Sequence, residues 1–191
     1  MENTNRLIRH ELLNLLMEIQ IALLDGPLSR EKRKELLGVV ERAALLTSYQ
    51  NMMLGKKQAL FVREVDLRSL LEIIILTHKN EITKKSVTVI LPKGDLSVRG
   101  DETLIKLAIE QVTKALLEKT SAIEFKWAPQ KKTLTIQADR KAMPALAKKD
   151  WSKCLKNENP HELGLQLAVR ALEAHKIRWE TKGQQLHLIF R

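Results

Sequence analysis

An alternating apolar pattern near the start of the chain constrains the fold more than any other feature of the sequence. Asn3 or Thr4 can cap a first helix, and apolar residues then recur at spacings of four and three in alternation. These seam residues are Ile8, Leu12, Leu15, Ile19 and Ala22. Because the spacing is typical of a coiled-coil seam, the helix is predicted to pack against a partner helix.

A compact break follows this helix at residues 24–29. Gly26 can adopt a positive φ and Pro27 cannot continue a helix, so a second helix is predicted from Ser29 to near Gly55. Two helices joined by so short a turn leave apolar surface uncovered. We therefore predict that residues 1–60 form an antiparallel helical hairpin, which dimerises into a four-helix bundle. Further leucines widen the apolar stripe and favour bundle-like packing: Leu13, Leu16, Leu23 and Leu24.

Residues 61–191 are predicted to form a second domain in which helices and short strands alternate. A helix is predicted over residues 66–82, another from a cap at Asp101 and a third over residues 162–175, with a further helical stretch within residues 145–155. Strands are predicted at 86–92, 96–100, 122–128, 132–138, 176–181 and 185–191. This order predicts an α+β sandwich, with a mixed sheet and helices on one face.

The charge balance is strongly basic. The chain has 33 Lys and Arg residues against 23 Asp and Glu residues, a net charge of +10. Such an excess attracts acidic partners, and charge alone does not choose between nucleic acid, anionic lipid and an acidic protein. Because the sequence contains no recognisable DNA-reading motif, nucleic acid is the less favoured partner.

The sequence favours a cytosolic protein that binds no membrane. It has no apolar run near the roughly 20 residues that cross a bilayer, and its first residues lack the basic-then-apolar pattern of a signal peptide. A single cysteine, Cys154, cannot form an internal disulfide. Because His161, His175 and His187 share no metal-ligand spacing, we expect no metal site in the chain itself.

A polar pair stands out on the first helix. At 100° per residue, His10 falls at about 200° from the apolar seam, so its imidazole is predicted to point outward. Glu11 and Asn14 lie at about 300° and 240°, and Leu13 and Ile21 place apolar surface on the same side as His10. An isolated histidine in such a position is usually an ordinary surface residue. Here it lies beside a carboxylate and an apolar patch, on a helix predicted to dimerise.

The stretch "HELLNLL" at residues 10–16 resembles the H-box of the sensor histidine kinases, His-Glu-Leu-x-Asn-Pro-Leu, with Leu15 where proline is usual. In that family the histidine accepts a phosphoryl group at a ring nitrogen and the following acidic residue acts as a base. The resemblance therefore implies that His10 is a phosphoacceptor and Glu11 its helper. The chemistry is reasonable, since a neutral imidazole is nucleophilic and a neighbouring carboxylate stabilises the charge that develops on it.

Four later stretches resemble the ATP-binding domain of the same family, namely residues 65–72, 99–120, 136–144 and 161–175. The positions that bind nucleotide in the family have changed. The two asparagines of the first site helix, one of which binds magnesium, correspond to Gln111 and Ala115. Three further positions form the family's Asp-x-Gly-x-Gly loop and correspond to Ala138, Arg140 and Ala142. In the last glycine-rich motif Gly164 remains, and Glu162 replaces its glycine partner.

A phosphoacceptor beside a degenerate nucleotide site is similar to the dimeric histidine phosphotransferases of bacterial phosphorelays. The resemblance implies transfer between receiver-domain aspartates through His10, without ATP and with no cofactor beyond Mg²⁺ on the partner receiver. The predicted receiver-docking residues are Arg6, Leu13, Asn14 and Ile21. Three alternatives stay open: a non-catalytic, pseudokinase-like protein that regulates a kinase or response regulator, a nucleic-acid binder, and an autokinase with measurable ATP affinity.

Overall fold

The computed structural model describes residues 2–24, 62–139 and 160–191, together with eight single positions between Ser29 and Thr47. The chain divides into two compact units. One consists of Met1–Ala59 and Lys149–Gly164, and the other of Leu60–Lys148 and Leu165–Arg191. Each unit is considered by itself below. Among the described residues, no helix combines the length and apolar character that crossing a bilayer requires.

The first helix, α1, spans Glu2–Leu24. Leu15 in the predicted seam is only 4% exposed, and Leu12, Ile19 and Ala22 are half-buried. The seam therefore faces the interior of its unit, as the 100° spacing predicts.

Ser29, the predicted start of the second helix, has the hydrogen bonds of a helix cap. The Ser29 hydroxyl accepts a hydrogen bond from the Lys32 amide at 3.2 Å, and its carbonyl oxygen accepts one from the Arg33 amide at 3.0 Å. This is the arrangement of an N-cap residue. The described positions from Lys32 to Thr47 are helical, and the Thr47 hydroxyl donates to the Ala43 carbonyl at 2.9 Å. Gly26, Pro27 and Gly55 lie outside the described residues, and the dimeric bundle and the domain division at residue 60 stay predictions.

The second unit contains seven strands and four helices among its described elements. In chain order these are β1 (Arg63–Asp66), α2 (Leu67–Thr77), α3 (Lys79–Lys85), β2 (Thr88–Ile90), β3 (Ser97–Gly100), α4 (Glu102–Leu117), β4 (Ala122–Ala128), β5 (Thr133–Ala138), α5 (Pro160–Ala174), β6 (Arg178–Lys182) and β7 (Gln185–Ile189). The first residues of α5 belong to the other unit. The predicted helix within residues 145–155 lies outside the described residues.

The strands form a five-stranded sheet in the order β2-β4-β5-β7-β6 and a separate antiparallel pair of β1 with β3. Only β2 and β4 are parallel neighbours in the larger sheet, which is therefore mixed. The prediction of an α+β fold with a mixed sheet is confirmed.

Alternation along the strands produces the core of this unit. Ile123 and Phe125 on β4 are buried, and Leu134 and Ile136 on β5 are buried beside them. Lys126, which follows Phe125 on β4, points to the opposite face of the sheet and is exposed. Helices α2 and α4 add fully buried side chains: Leu67, Leu71, Ile74, Ile109 and Leu116.

Two aspartates fix the helix starts at the positions predicted for them. Asp66 accepts a hydrogen bond from the Arg68 amide at 2.9 Å, and Asp101 accepts one from the Thr103 amide at 3.1 Å. The Asp101 amide in turn donates to Nε2 of His175 at 2.8 Å, and His175 Nδ1 lies 3.1 Å from the Ala171 carbonyl. His175 is thus a structural residue that joins the start of α4 to the end of α5.

One helix and one strand differ from the predictions. The helix predicted over residues 66–82 is interrupted at His78, whose backbone φ of −97° and ψ of 11° are not helical. The Thr77 hydroxyl donates to the Ile73 carbonyl at 2.9 Å, an interaction that often bends helices. Strand β1 was not predicted, because only Val65 of its four residues is buried and they show no clear alternation.

Candidate functional site

The predicted phosphoacceptor is exposed on α1 and has a defined partner. His10 Nδ1 lies 3.2 Å from the Asn14 side-chain nitrogen Nδ2. The two residues are four apart, the spacing that brings side chains together on one helix face, and both are exposed. Arg6 and Glu11 lie in the same helix, but their side chains are outside the described part of the structure. The geometry therefore joins His10 with Asn14, two residues that the sequence placed on one side of the helix.

Apolar side chains are exposed along α1, both on the side that carries His10 and further around the helix. Leu13 is 61% exposed and Ile21 is 57% exposed, as predicted for an apolar surface beside the histidine. Three more join them to make what we name the exposed stripe: Leu13, Leu16, Met17, Ile21 and Leu24. Contiguous apolar surface on a folded protein usually marks a site that contacts another molecule.

A groove lies alongside this surface, within the first unit. Its volume is about 390 Å³, and it is lined by α1 and by helical positions that follow Ser29. Asn14 and Ile21 line it from α1, opposite Leu36 and Val39. Two of the four predicted docking residues, Asn14 and Ile21, therefore border a concave, largely apolar surface on the helix that carries His10.

The positions predicted for a degenerate nucleotide site contain little that could bind a nucleotide. Gln111 and Ala115 lie one turn apart on α4, where Gln111 is half-buried and Ala115 is only 7% exposed. Ala138 is buried at the end of β5, opposite Ile123 of β4. Arg140 and Ala142 lie outside the described residues.

Asp139 follows Ala138 directly and has a structural role that sequence reasoning missed. Its carboxylate accepts hydrogen bonds from the Ser121 amide at 3.0 Å and from the Ser121 hydroxyl at 2.7 Å. The Ser121 hydroxyl holds the pKa of Asp139 below its ordinary value. The Asp139 amide also donates to the Thr120 hydroxyl at 3.3 Å. The sequence carried no direct signal for this contact, because it depends on the hairpin register that pairs Ile123 with Ala138.

The last glycine-rich motif lies in the first turns of α5. Gly164 is buried and Glu162 is half-buried. Glu162 is in the first helical turn, where the exposed amides and the helix dipole favour a negative charge. Glutamate at this position is therefore suited to starting a helix, whereas beside a triphosphate it would be repulsive.

These positions do not fit magnesium and nucleotide bound as the resemblance would place them. Magnesium requires oxygen ligands, and Ala115 offers no side-chain oxygen. Ala138 has no polar side chain at the position where the resemblance places an adenine-reading aspartate. The Asp139 carboxylate is already hydrogen-bonded to Ser121. Within residues 2–24, 62–139 and 160–191, no group of three or more His, Cys, Asp or Glu residues could hold a metal ion.

Comparison with solved structures gives three informative likenesses. The Acinetobacter baumannii histidine kinase AdeS has a TM-score of 0.64 at 18% identity, over 95% of this chain and 97% of that one. The cytoplasmic segment of histidine kinase QseC has a TM-score of 0.58 at 13% identity, over 79% of this chain and 94% of that one. The fold is that of the histidine kinases.

The catalytic domain of histidine kinase ThkA matches a shorter part of the histidine-kinase-like fold. Its TM-score is 0.51 at 17% identity, over 68% of this chain and 94% of that one. No protein-family model matches the chain, and no curated protein sequence matches it. The predicted histidine-kinase-like fold is therefore confirmed, and the roles of individual residues stay predictions.

Proposed function

We propose that this protein is a histidine phosphotransferase of a two-component phosphorelay, in which His10 carries a phosphoryl group between receiver-domain aspartates and ATP is not bound. The observation that carries the proposal is an exposed His10, hydrogen-bonded to Asn14, in a chain with the histidine-kinase fold. The changed nucleotide positions support transfer without ATP, because Ala115 supplies no oxygen for magnesium and Ala138 has no side chain that could hydrogen-bond adenine.

The chemistry requires little from this chain beyond a positioned nucleophile. A receiver aspartyl phosphate would dock beside α1, and a lone pair on the His10 imidazole would attack phosphorus in line. The bond from phosphorus to the aspartate oxygen breaks, and its electrons leave with the receiver's carboxylate. The receiver would supply Mg²⁺, and Glu11 would help to stabilise the ring as it becomes positive. Reversal of the step on a second receiver completes the relay.

Both proposed partners would contact α1. His10, Asn14 and Ile21 lie within about 40° of one another around the helix, whereas Leu16 lies about 120° from His10. We assign the His10 side to the receiver, together with Arg6 and Leu13, and the Leu16 side to a second copy of this chain. Because a symmetric dimer uses the same patch twice, covering Leu16 in each copy would bury apolar area on both.

Phosphoryl transfer from a panel of phosphorylated receiver domains tests the proposal. Wild-type protein, His10→Ala and the exposed same-helix control Gln20→Ala are compared, with ATP alone as a further donor. We expect label on wild type and Gln20→Ala, none on His10→Ala, and none from ATP. Label on His10→Ala, or ATP-dependent label on wild type, would contradict the proposal. The second outcome would favour an autokinase.

A second candidate function is that of a non-catalytic protein that binds and regulates a histidine kinase or response regulator. The exposed stripe favours it, since apolar surface of this kind suits protein binding whether or not His10 reacts. In that case His10→Ala would leave the regulatory effect on the partner intact, and Leu13→Ser would weaken it. The result for His10→Ala separates the two functions, whereas Leu13→Ser tests the docking surface that both of them use.

A further inference from the structure

The side chain of Asn14 contacts the Nδ1 atom of His10. The amide nitrogen Nδ2 lies 3.2 Å away, at a distance and spacing that form a hydrogen bond between exposed side chains. A ring nitrogen either donates one hydrogen or offers one lone pair, so it has a single strong partner at a time. Contact with Asn14 therefore leaves no place on Nδ1 for a second strong partner.

We propose that Asn14 is the positioning residue that sets the tautomer of His10 and thereby determines which ring nitrogen is free to take a phosphoryl group. The inference rests on the proposed function of His10 as phosphoacceptor. It assigns Asn14 a role beyond receiver docking, and it concerns the imidazole itself, so it can be tested without a receiver.

The amide group of Asn14 supports two states of the ring. When Nδ2 donates to Nδ1, the neutral imidazole carries its hydrogen on Nε2, and neither ring nitrogen has a free lone pair. Rotation of the amide brings Oδ1 to Nδ1, which then carries the hydrogen and donates it. The Nε2 lone pair is free in this second state. Only a side chain with both a donor and an acceptor can support both states.

The second state is the one that reacts. The Nε2 lone pair attacks phosphorus, the bond from phosphorus to its leaving group breaks, and the bonding electrons depart with that group. Nδ1 keeps its hydrogen, and the ring becomes positively charged. Asn14 Oδ1 accepts the Nδ1 hydrogen throughout and so stabilises that charge. Loss of this one exposed hydrogen bond should slow the step about 3- to 10-fold.

Two measurements on the full chain test the assignment. Nitrogen-15 chemical shifts of the His10 ring report the tautomer, and labelling by phosphoramidate, a small phosphoryl donor, reports reactivity without a receiver. The variants are Asn14→Ala, Asn14→Asp, Glu11→Gln and a matched control, Asn80→Ala, which removes an exposed helical asparagine elsewhere.

We expect Asn14→Ala to change the tautomer ratio and to slow labelling about 3- to 10-fold. Asn14→Asp should favour the tautomer with hydrogen on Nδ1, because a carboxylate only accepts, and should label at least as fast as wild type. Asn80→Ala should match wild type. A purely structural role for Asn14 would not give this rescue by aspartate.

The inference is overturned if Asn14→Ala keeps both the wild-type tautomer ratio and the wild-type labelling rate, or if Glu11→Gln changes the tautomer ratio and Asn14→Ala does not. It is also overturned if wild-type His10 does not label with phosphoramidate. The proposed function fails separately. If His10 labels and depends on Asn14 but no phosphorylated receiver transfers to it, the positioning role stands and the phosphorelay role does not.

Discussion

The His10 face of α1 and the Ala138 end of β5 both carry exposed, hydrogen-bonded polar groups, but the apolar side chains around those groups are exposed on α1 and buried at the end of β5. On α1 the imidazole and the Asn14 amide are exposed and lie beside exposed apolar side chains. At the end of β5 the carboxylate of Asp139 is bonded twice to Ser121, and its neighbour Ala138 is buried. A surface used for transfer has to stay accessible. If the Ala138 end no longer binds a nucleotide, as proposed, its groups are free to stabilise the fold.

The largest expected effect concerns the exposed stripe. If a second copy covers Leu16, which is 56% exposed, Leu16→Glu would bury an unpaired charge in each half of a symmetric interface. We expect the dimer dissociation constant to rise about 100-fold or more. Analytical ultracentrifugation over a range of protein concentrations measures it.

The matched control for Leu16→Glu is Leu76→Glu in α2. Leu76 is 70% exposed, so the same substitution is made at an even more accessible leucine of the other unit. It should leave self-association unchanged. If both variants dissociate to the same degree, or if neither does, Leu16 is not part of the dimer surface and the assignment of the Leu16 side of α1 to a second copy fails.

The sequence predicted most of the fold because most of its signals are local. The caps at Ser29, Asp66 and Asp101 each depend on one side chain and the amides that follow it. The bounds of β4 were read directly from period-two alternation. Strand β1 could not be found in this way, because it is held by pairing with β3 across more than thirty residues and buries only Val65.

For the candidate site too, the sequence predicted the features that depend on local geometry and missed those that depend on rotamers or strand register. The angle of His10 on its helix follows from helical geometry, and the structure places it outward. The hydrogen bond to Asn14 depends on rotamers, which residue spacing restricts but does not select. The Asp139–Ser121 contact depends on the register of a hairpin, so the sequence could suggest an acidic residue near the site but not that it was already bonded.

A second prediction sharpens the contrast at the degenerate positions. Ala115→Asn restores one of the two asparagines that the resemblance places on this helix, one of which binds magnesium in the family. Ala115 is only 7% exposed, however, and the other changed positions remain. We expect no ATP binding, and a loss of about 1–3 kcal/mol of folding stability from overpacking and burial of a polar group. Calorimetric titration with Mg-ATP and denaturant unfolding measure the two effects.

Gln111→Asn is the companion variant for this experiment. Gln111 is half-buried and polar already, so its replacement by a shorter amide should cost less stability than Ala115→Asn. The double variant restores both asparagines and should still fail to bind ATP, because Ala138 cannot hydrogen-bond adenine as the aspartate at that position does in the family it resembles. Micromolar ATP binding by either variant would show that the site is only one or two residues from function.

The smallest expected effect is a pH dependence of stability that arises from Glu110 on α4. His78 Nε2 lies 3.6 Å from its carboxylate and lowers the pKa of Glu110 below its ordinary value, with smaller contributions from Lys106 and Lys114 and with burial acting in the opposite direction. A lowered pKa in the folded state means that the contribution to stability is present above about pH 4.5 and is lost as the pH falls through the folded-state pKa. Glu110→Gln should therefore flatten the acid side of the stability profile in urea unfolding between pH 5 and 3, roughly the range in which glutamate titrates.

Comparison with His78→Gln identifies the cause of this pH dependence. Because the imidazole makes the largest contribution that lowers the pKa of Glu110, His78→Gln should flatten the same acid limb, and the double variant should add little to either single change. If His78→Gln leaves the slope of the acid limb at its wild-type value, the lowered pKa of Glu110 is due to Lys106 and Lys114 instead. Phosphoramidate labelling of His10 at pH 7 should be the same in all three variants, since charges around Glu110 stabilise the fold and the chemistry is assigned to α1. A change in labelling would mean that the two regions are coupled, and the contrast between a reactive surface and a structural one would have to be abandoned.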